Sequence, residues 1–150
     1  MDFKKSLTEG LEAAKKARDN KKEILALISD VSKIIEDFSE GKVSLKITNE
    51  RRLAKGATQL SAGLAAVLGE TAYVDYKALS LTRNPQGTPK KILADWEIDQ
   101  SDGYPCIISY NKQDITCHNK ETLQQALSEL LSDASTGEKL LRLMESKEGS

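Results

Sequence analysis

From Phe3 to Phe38 an apolar or small residue returns at alternating steps of four and three. The series is Phe3, Leu7, Gly10, Ala14, Ala17, Lys21, Ile24, Ile28, Val31, Ile35 and Phe38, with Lys21 its one charged member. This phase places every position on one stripe of an α-helix, and such a stripe has to be covered by another element or by a copy of itself. The stripe is strong from Ile24 onward, where Leu25, Leu27 and Ile34 widen it, and weak before that, where Gly10 and Lys21 interrupt it. Asn20 stands three places ahead of Glu23, as in a capping box. The pattern therefore fits either one long helix or a helical hairpin broken near Asp19 and Asn20. Glu40 and Gly41 supply the stop, glycine being free to take the left-handed conformation that ends helices.

The period then changes to two. Val43, Leu45 and Ile47 alternate with Ser44, Lys46 and Thr48, which predicts a short strand with one buried face. Leu53, Ala57, Leu60, Leu64 and Val67 return to helical spacing and predict a second helix over 51–68, ending at Gly69. Four strands follow: 72–83, 92–99, 104–110 and 115–118, separated by turns at Asn84–Gly87, Gln100–Gly103 and Asn111–Lys112. Asn119 caps a helix carrying Leu123, Ala126, Leu127, Leu130 and Leu131. Ser135 with Glu138 reads as the capping box of a last helix, through Leu140, Leu141, Leu143 and Met144. The order predicts an α+β fold: a long N-terminal helix or hairpin, then a four- to five-stranded antiparallel meander covered by helices, two of them C-terminal. The expected organisation is a helical arm over 1–40, an α+β body over 41–145 and a frayed tail over 146–150.

Charge adds one feature. Residues 41–91 hold nine basic and three acidic groups, while residues 92–150 hold five basic and eleven acidic ones. Opposite halves of this kind either neutralise each other or mark a nucleic-acid face. The N-terminus is charged where a signal peptide needs apolar residues, no apolar run approaches a membrane span, and a cytoplasmic location is expected.

Candidate chemistry is sparse. A two-residue turn at Asn111 and Lys112 sets Cys106 opposite Cys117. These are read as core thiols, with a reversible disulfide or a metal as alternatives. His118 lies beside Cys117, but adjacent strand residues point to opposite faces, which argues against a catalytic dyad. Asp95, Glu97 and Asp99 share one side of a strand at spacings of about 6.8 Å. They are the weak candidates for a divalent cation or an acid–base pair; their bland alternative is a solvated face that discourages edge pairing. Lys46, Arg51, Arg52, Lys55, Lys90 and Lys91, with Tyr73, Tyr76 and Trp96 interleaved, have the ingredients of a single-strand binding surface. No phosphate-binding glycine motif, nucleophile elbow or CxxC spacing is present, and no cofactor is expected. The reading these residues support is a non-enzymatic interaction protein. It joins a copy of itself or another protein through the seam Phe3, Leu7, Ile24, Ile28, Val31, Ile35 and Phe38. Nucleic-acid binding through the basic region and a metal-dependent enzyme are the alternatives.

Overall fold

A computed structural model describes residues 1–54 and 73–146. Helix α1 runs unbroken over Phe3–Phe38, through Asp19 and Asn20. Its first turn is capped by the Asp2 carboxylate, which accepts from the Lys5 N–H at 3.1 Å. It ends where Gly41, at φ +81°, lets its N–H reach back to the Glu36 carbonyl at 2.7 Å.

The strands β1 (Val43–Leu53), β2 (Tyr73–Arg83), β3 (Lys90–Asp99), β4 (Gly103–Tyr110) and β5 (Gln113–Cys117) form one antiparallel sheet in sequential order. Helices α2 (Lys120–Ser132) and α3 (Ala134–Glu145) complete the described chain. This is the expected α+β architecture.

Two local expectations are corrected, and one strand departs from strict alternation. Arg51, Arg52 and Leu53 continue β1 instead of opening a helix, because they pair with Asp75, Val74 and Tyr73 across the ladder. The remainder of the helix expected there, including Lys55, lies outside the described residues. Helix α3 is capped by Asp133, whose carboxylate accepts from the Ser135 N–H at 3.0 Å, so Ser135 sits inside the helix. In β3 a bulge opposite Leu79 and Ser80 leaves Leu93 without a partner and buries it next to Ala94, although alternation assigns the two to opposite faces.

The core lies between one face of the sheet and the helices. Val43, Leu45, Leu79, Leu81, Trp96, Cys106, Ile108 and Cys117 share a hydrophobic cluster with Ile24, Leu27, Ile28 and Ile35 of α1, Leu123 and Leu130 of α2, and Leu143 of α3. Helix α1 crosses from β4 to β1, α3 lies over β2, and α2 sits beside β5. Two serines fasten α1 along β1. Ser32 Oγ accepts from the Leu45 N–H at 3.0 Å, and Ser39 Oγ accepts from the Val43 N–H at 2.9 Å. Both serines are buried because each satisfies a strand donor that the ladder leaves open.

Candidate functional site

The seam on α1 divides into two parts. Ile24, Ile28 and Ile35 are buried against the chain's own sheet and Val31 is half-buried, whereas Phe3, Leu7 and Phe38 are 70%, 71% and 70% exposed. Residues 1–16 are exposed throughout, so about the first four turns of α1 form a projecting arm. Leu11, 63% exposed, falls on the same stripe as Phe3 and Leu7, and heptad spacing alone omits it. The stripe continues through Gly10, Ala14 and Ala17 into the buried face at Ile24.

The arm leaves the body at a fixed point. Asn20 Nδ2 donates to the Asp102 carbonyl at 3.1 Å and Lys21 Nζ donates to the Gln100 carbonyl at 2.6 Å. The charged member of the seam is thus a clamp on the β3–β4 turn. Gly103 in that turn has φ +86°, and a Cβ there would stand 3.2 Å from Asn20 Cβ and 3.3 Å from the Lys21 backbone nitrogen. Next to this clamp a groove of about 530 Å³ runs between Ala13 and Ala17 on one side and Tyr104 and His118 on the other. The Tyr104 hydroxyl donates to Glu23 Oε2 at 2.7 Å.

A second opening lies within the sheet. Strand β2 pairs with β3 only as far as Lys77 opposite Trp96. Beyond that point β1 and β2 continue as a two-stranded ribbon to Leu53 and Tyr73, while β3 stays with β4. The cleft between them encloses about 910 Å³. Arg52 spans it, with Nη1 2.8 Å from Asp95 Oδ2 and the guanidinium stacked 4.1 Å from the Tyr76 ring centroid.

The basic residues are mostly occupied. Arg51 pairs with Asp75 at 3.2 Å, Arg52 with Asp95, and Lys90 with Glu50 at 2.5 Å. The hydrogen bond from Lys90, joined by one from Thr48, holds the Glu50 carboxyl below its usual range. Lys46 is exposed and Lys91 half-buried. Of the described ion pairs, Arg52–Asp95 alone joins the basic half of the chain to the acidic half.

The three carboxylates have separate surroundings. Asp95 holds Arg52, and Asp99 Oδ1 accepts from the N–H groups of Ser101 and Asp102 at 2.9 and 2.8 Å to shape the β3–β4 turn. Glu97 is exposed. Among the described residues no group of three metal-ligating side chains converges.

Cys106 and Cys117 are paired across the β4–β5 hairpin, whose turn places Asn111 and Lys112 at φ +52° and +61°. Both are free thiols at 0% exposure. Burial pushes the Cys106 thiol up to about 12 and the Cys117 thiol upward as well. Burial, then the bond to Glu23, raises the Tyr104 hydroxyl. All three are neutral in the native protein and release their protons more readily on unfolding. Stability is therefore complete below the ordinary thiol value of 9.0 and declines as pH climbs toward the folded values. For Cys106, raised from 9.0 to about 12, the loss is about 1.4 kcal/mol per pH unit between those values. The urea midpoint should fall between about pH 8 and about pH 10.5, with a shallower fall in Cys106→Ala. An unchanged midpoint over that interval would contradict the burial of neutral thiols.

Among the described residues no helix is long and apolar enough to cross a membrane. Comparisons of the chain with protein-family models, with curated proteins and with solved structures find no match.

Proposed function

We propose that this protein is a non-enzymatic interaction module whose contact element is the projecting first half of α1. The observation that carries this reading is the exposed stripe Phe3, Leu7 and Leu11 on a helix whose continuation forms part of the core. Single exposed apolar side chains are ordinary, but a row of them at helical spacing resembles the anchors of a helix-in-groove contact. The body holds the arm in place, and the groove beside Tyr104 and His118 gives a partner a second foothold.

The basic ribbon gives weaker support to nucleic-acid binding, because Arg51, Arg52 and Lys90 already face carboxylates. The 95/97/99 row gives weaker support to metal chemistry, because Asp95 and Asp99 are engaged elsewhere.

The test is capture of binding proteins from cell extract by the whole chain and by a Leu7→Glu, Leu11→Glu variant. Both substitutions lie on the exposed arm, so the variant should keep its far-UV spectrum and melting temperature. Proteins that bind through the arm should be depleted at least about tenfold on the variant, since each buried leucine is worth about 1.5–3 kcal/mol. Equal recovery on both baits would remove the arm from the function.

A further inference from the structure

We infer that the cleft between the β1–β2 ribbon and β3 accepts a strand, namely an extended segment of another protein in which apolar and basic residues alternate. This goes beyond the reading of the arm, since no residue of 1–16 lines the cleft.

The direction of the main-chain groups comes first. Ser39 and Ser32 accept from the N–H groups of Val43 and Leu45, so the odd-numbered residues of β1 face away from β2 and the even-numbered ones bond to it. Their partners in β2 are even-numbered too, from Val74 opposite Arg52 to Thr82 opposite Ser44. The N–H and C=O groups of Tyr73, Asp75 and Lys77 therefore face β3. Lys77 meets Trp96, and among the described residues the β2–β3 ladder goes no further. By the same alternation Ile98, two places after Trp96, turns its main-chain groups toward β2. Tyr73 and Asp75 on one side of the cleft and Ile98 on the other thus present donors and acceptors that neither ladder uses.

An open edge of this kind is a template for another strand. Other edges of the sheet are less inviting, because α1 lies along the start of β1 and β5 is only 5 residues long. The far end of β1 offers a strand one row of main-chain groups, whereas the cleft offers a row on each side. A segment laid there would pair with β2 and β3 together, which is β-augmentation with two edges instead of one.

The lining side chains specify the pattern of that segment, since successive strand residues point to opposite faces. On the helix side the cleft is walled by Ile47, Trp96 and Ile98, and by Leu25, which is 55% exposed although its neighbours Ile24 and Leu27 are buried. On the other side stand Glu97 and Asp114, both exposed and in none of the described ion pairs. Asp75 and Asp95 are already held by Arg51 and Arg52. Lys77 also lines the cleft, and alternation with Leu79 puts it on the helix side. Basic residues are therefore favoured on the Glu97 face alone, and apolar ones opposite.

The experiment titrates the full chain with the end-blocked peptide Lys-Val-Lys-Val-Lys-Val-Lys, which carries every feature the cleft would recognise. Trp96 is the chain's one tryptophan and lines the cleft, so its fluorescence reports occupancy. The expected result is a saturable change with half-saturation below about 1 mM, together with slowed amide exchange at Asp75 and Ile98. N-methylation of every second peptide residue removes main-chain donors, each worth about two- to tenfold, and should weaken binding at least about tenfold. Glu97→Lys should weaken it about fivefold at low salt with the melting temperature unchanged. The Leu7→Glu, Leu11→Glu variant should bind the peptide as the parent chain does, which keeps failure here distinct from failure of the arm. Absence of a saturable change, equal binding of the methylated peptide, or equal binding of Glu-Val-Glu-Val-Glu-Val-Glu would overturn the proposal. Protection of the same amides on concentrating the chain alone would overturn it in favour of a second copy.

Discussion

A chain that starts at Gly41 should fail to fold, while one that starts at Asp19 should melt cooperatively within a few degrees of the full protein. The first deletion removes Ile24, Leu27, Ile28 and Ile35, all buried in the common core. At about 1.5–3 kcal/mol for each large buried side chain, the loss is roughly 6–12 kcal/mol, comparable to the whole stability of a domain this size. It also uncovers Val43 and Leu45 and leaves their N–H groups without the Ser39 and Ser32 hydroxyls. The second deletion removes exposed residues and keeps the Asn20 and Lys21 clamps. Thermal melts followed by circular dichroism decide the matter. A cooperative transition in the chain starting at Gly41 would mean that α1 is an appendage and not part of the core.

Gly103→Ala should lower stability by about 2–4 kcal/mol, and Gly41→Ala by about 1–2 kcal/mol. Both glycines have positive φ, +86° and +81°, so alanine is conformationally strained at either position. They differ in surroundings. A Cβ at Gly41 meets nothing within 4 Å, whereas one at Gly103 presses on Asn20 and on the backbone of Lys21. A side chain's far end can move aside, but a helix backbone moves only by shifting α1 on the turn. The pair of variants thus separates backbone strain from close approach. Equal losses in urea denaturation would show that the contact between α1 and the turn does not select glycine at 103.

What the sequence made legible was local. The β4–β5 register follows from a two-residue turn, which leaves one way for Cys106 to meet Cys117, and the hairpin has that pairing. Alternation was enough to find the start of β1 at Val43. It did not show that Arg51 and Arg52 extend the strand, because their partners Asp75, Tyr76 and Asp95 lie more than twenty residues away. Asp95, Glu97 and Asp99 look equivalent at period two. They separate only when Arg52 reaches Asp95 across the cleft and the β3–β4 turn recruits Asp99. Lys21 breaks the heptad for a similarly distant reason, the carbonyl of Gln100. The projecting arm was partly visible as the weak half of the stripe. Leu11 escaped because heptad phase picks Gly10 as the seam position, whereas the side of the helix that stays open includes its neighbour.

The continuity of α1 has a kinetic consequence. A free peptide of the arm's length is marginally helical in water, because the first turn must form before any other can add to it. Here that nucleus already exists in the folded body, since Ile24 to Ile35 hold the later turns in place. On the proposed reading, a partner would meet the arm as a preformed rod, and binding would carry little of the ordering penalty that a disordered tail would incur. Association should accordingly follow rigid docking, at about 10⁵–10⁷ M⁻¹s⁻¹, and substitutions along the stripe should appear mainly as faster dissociation.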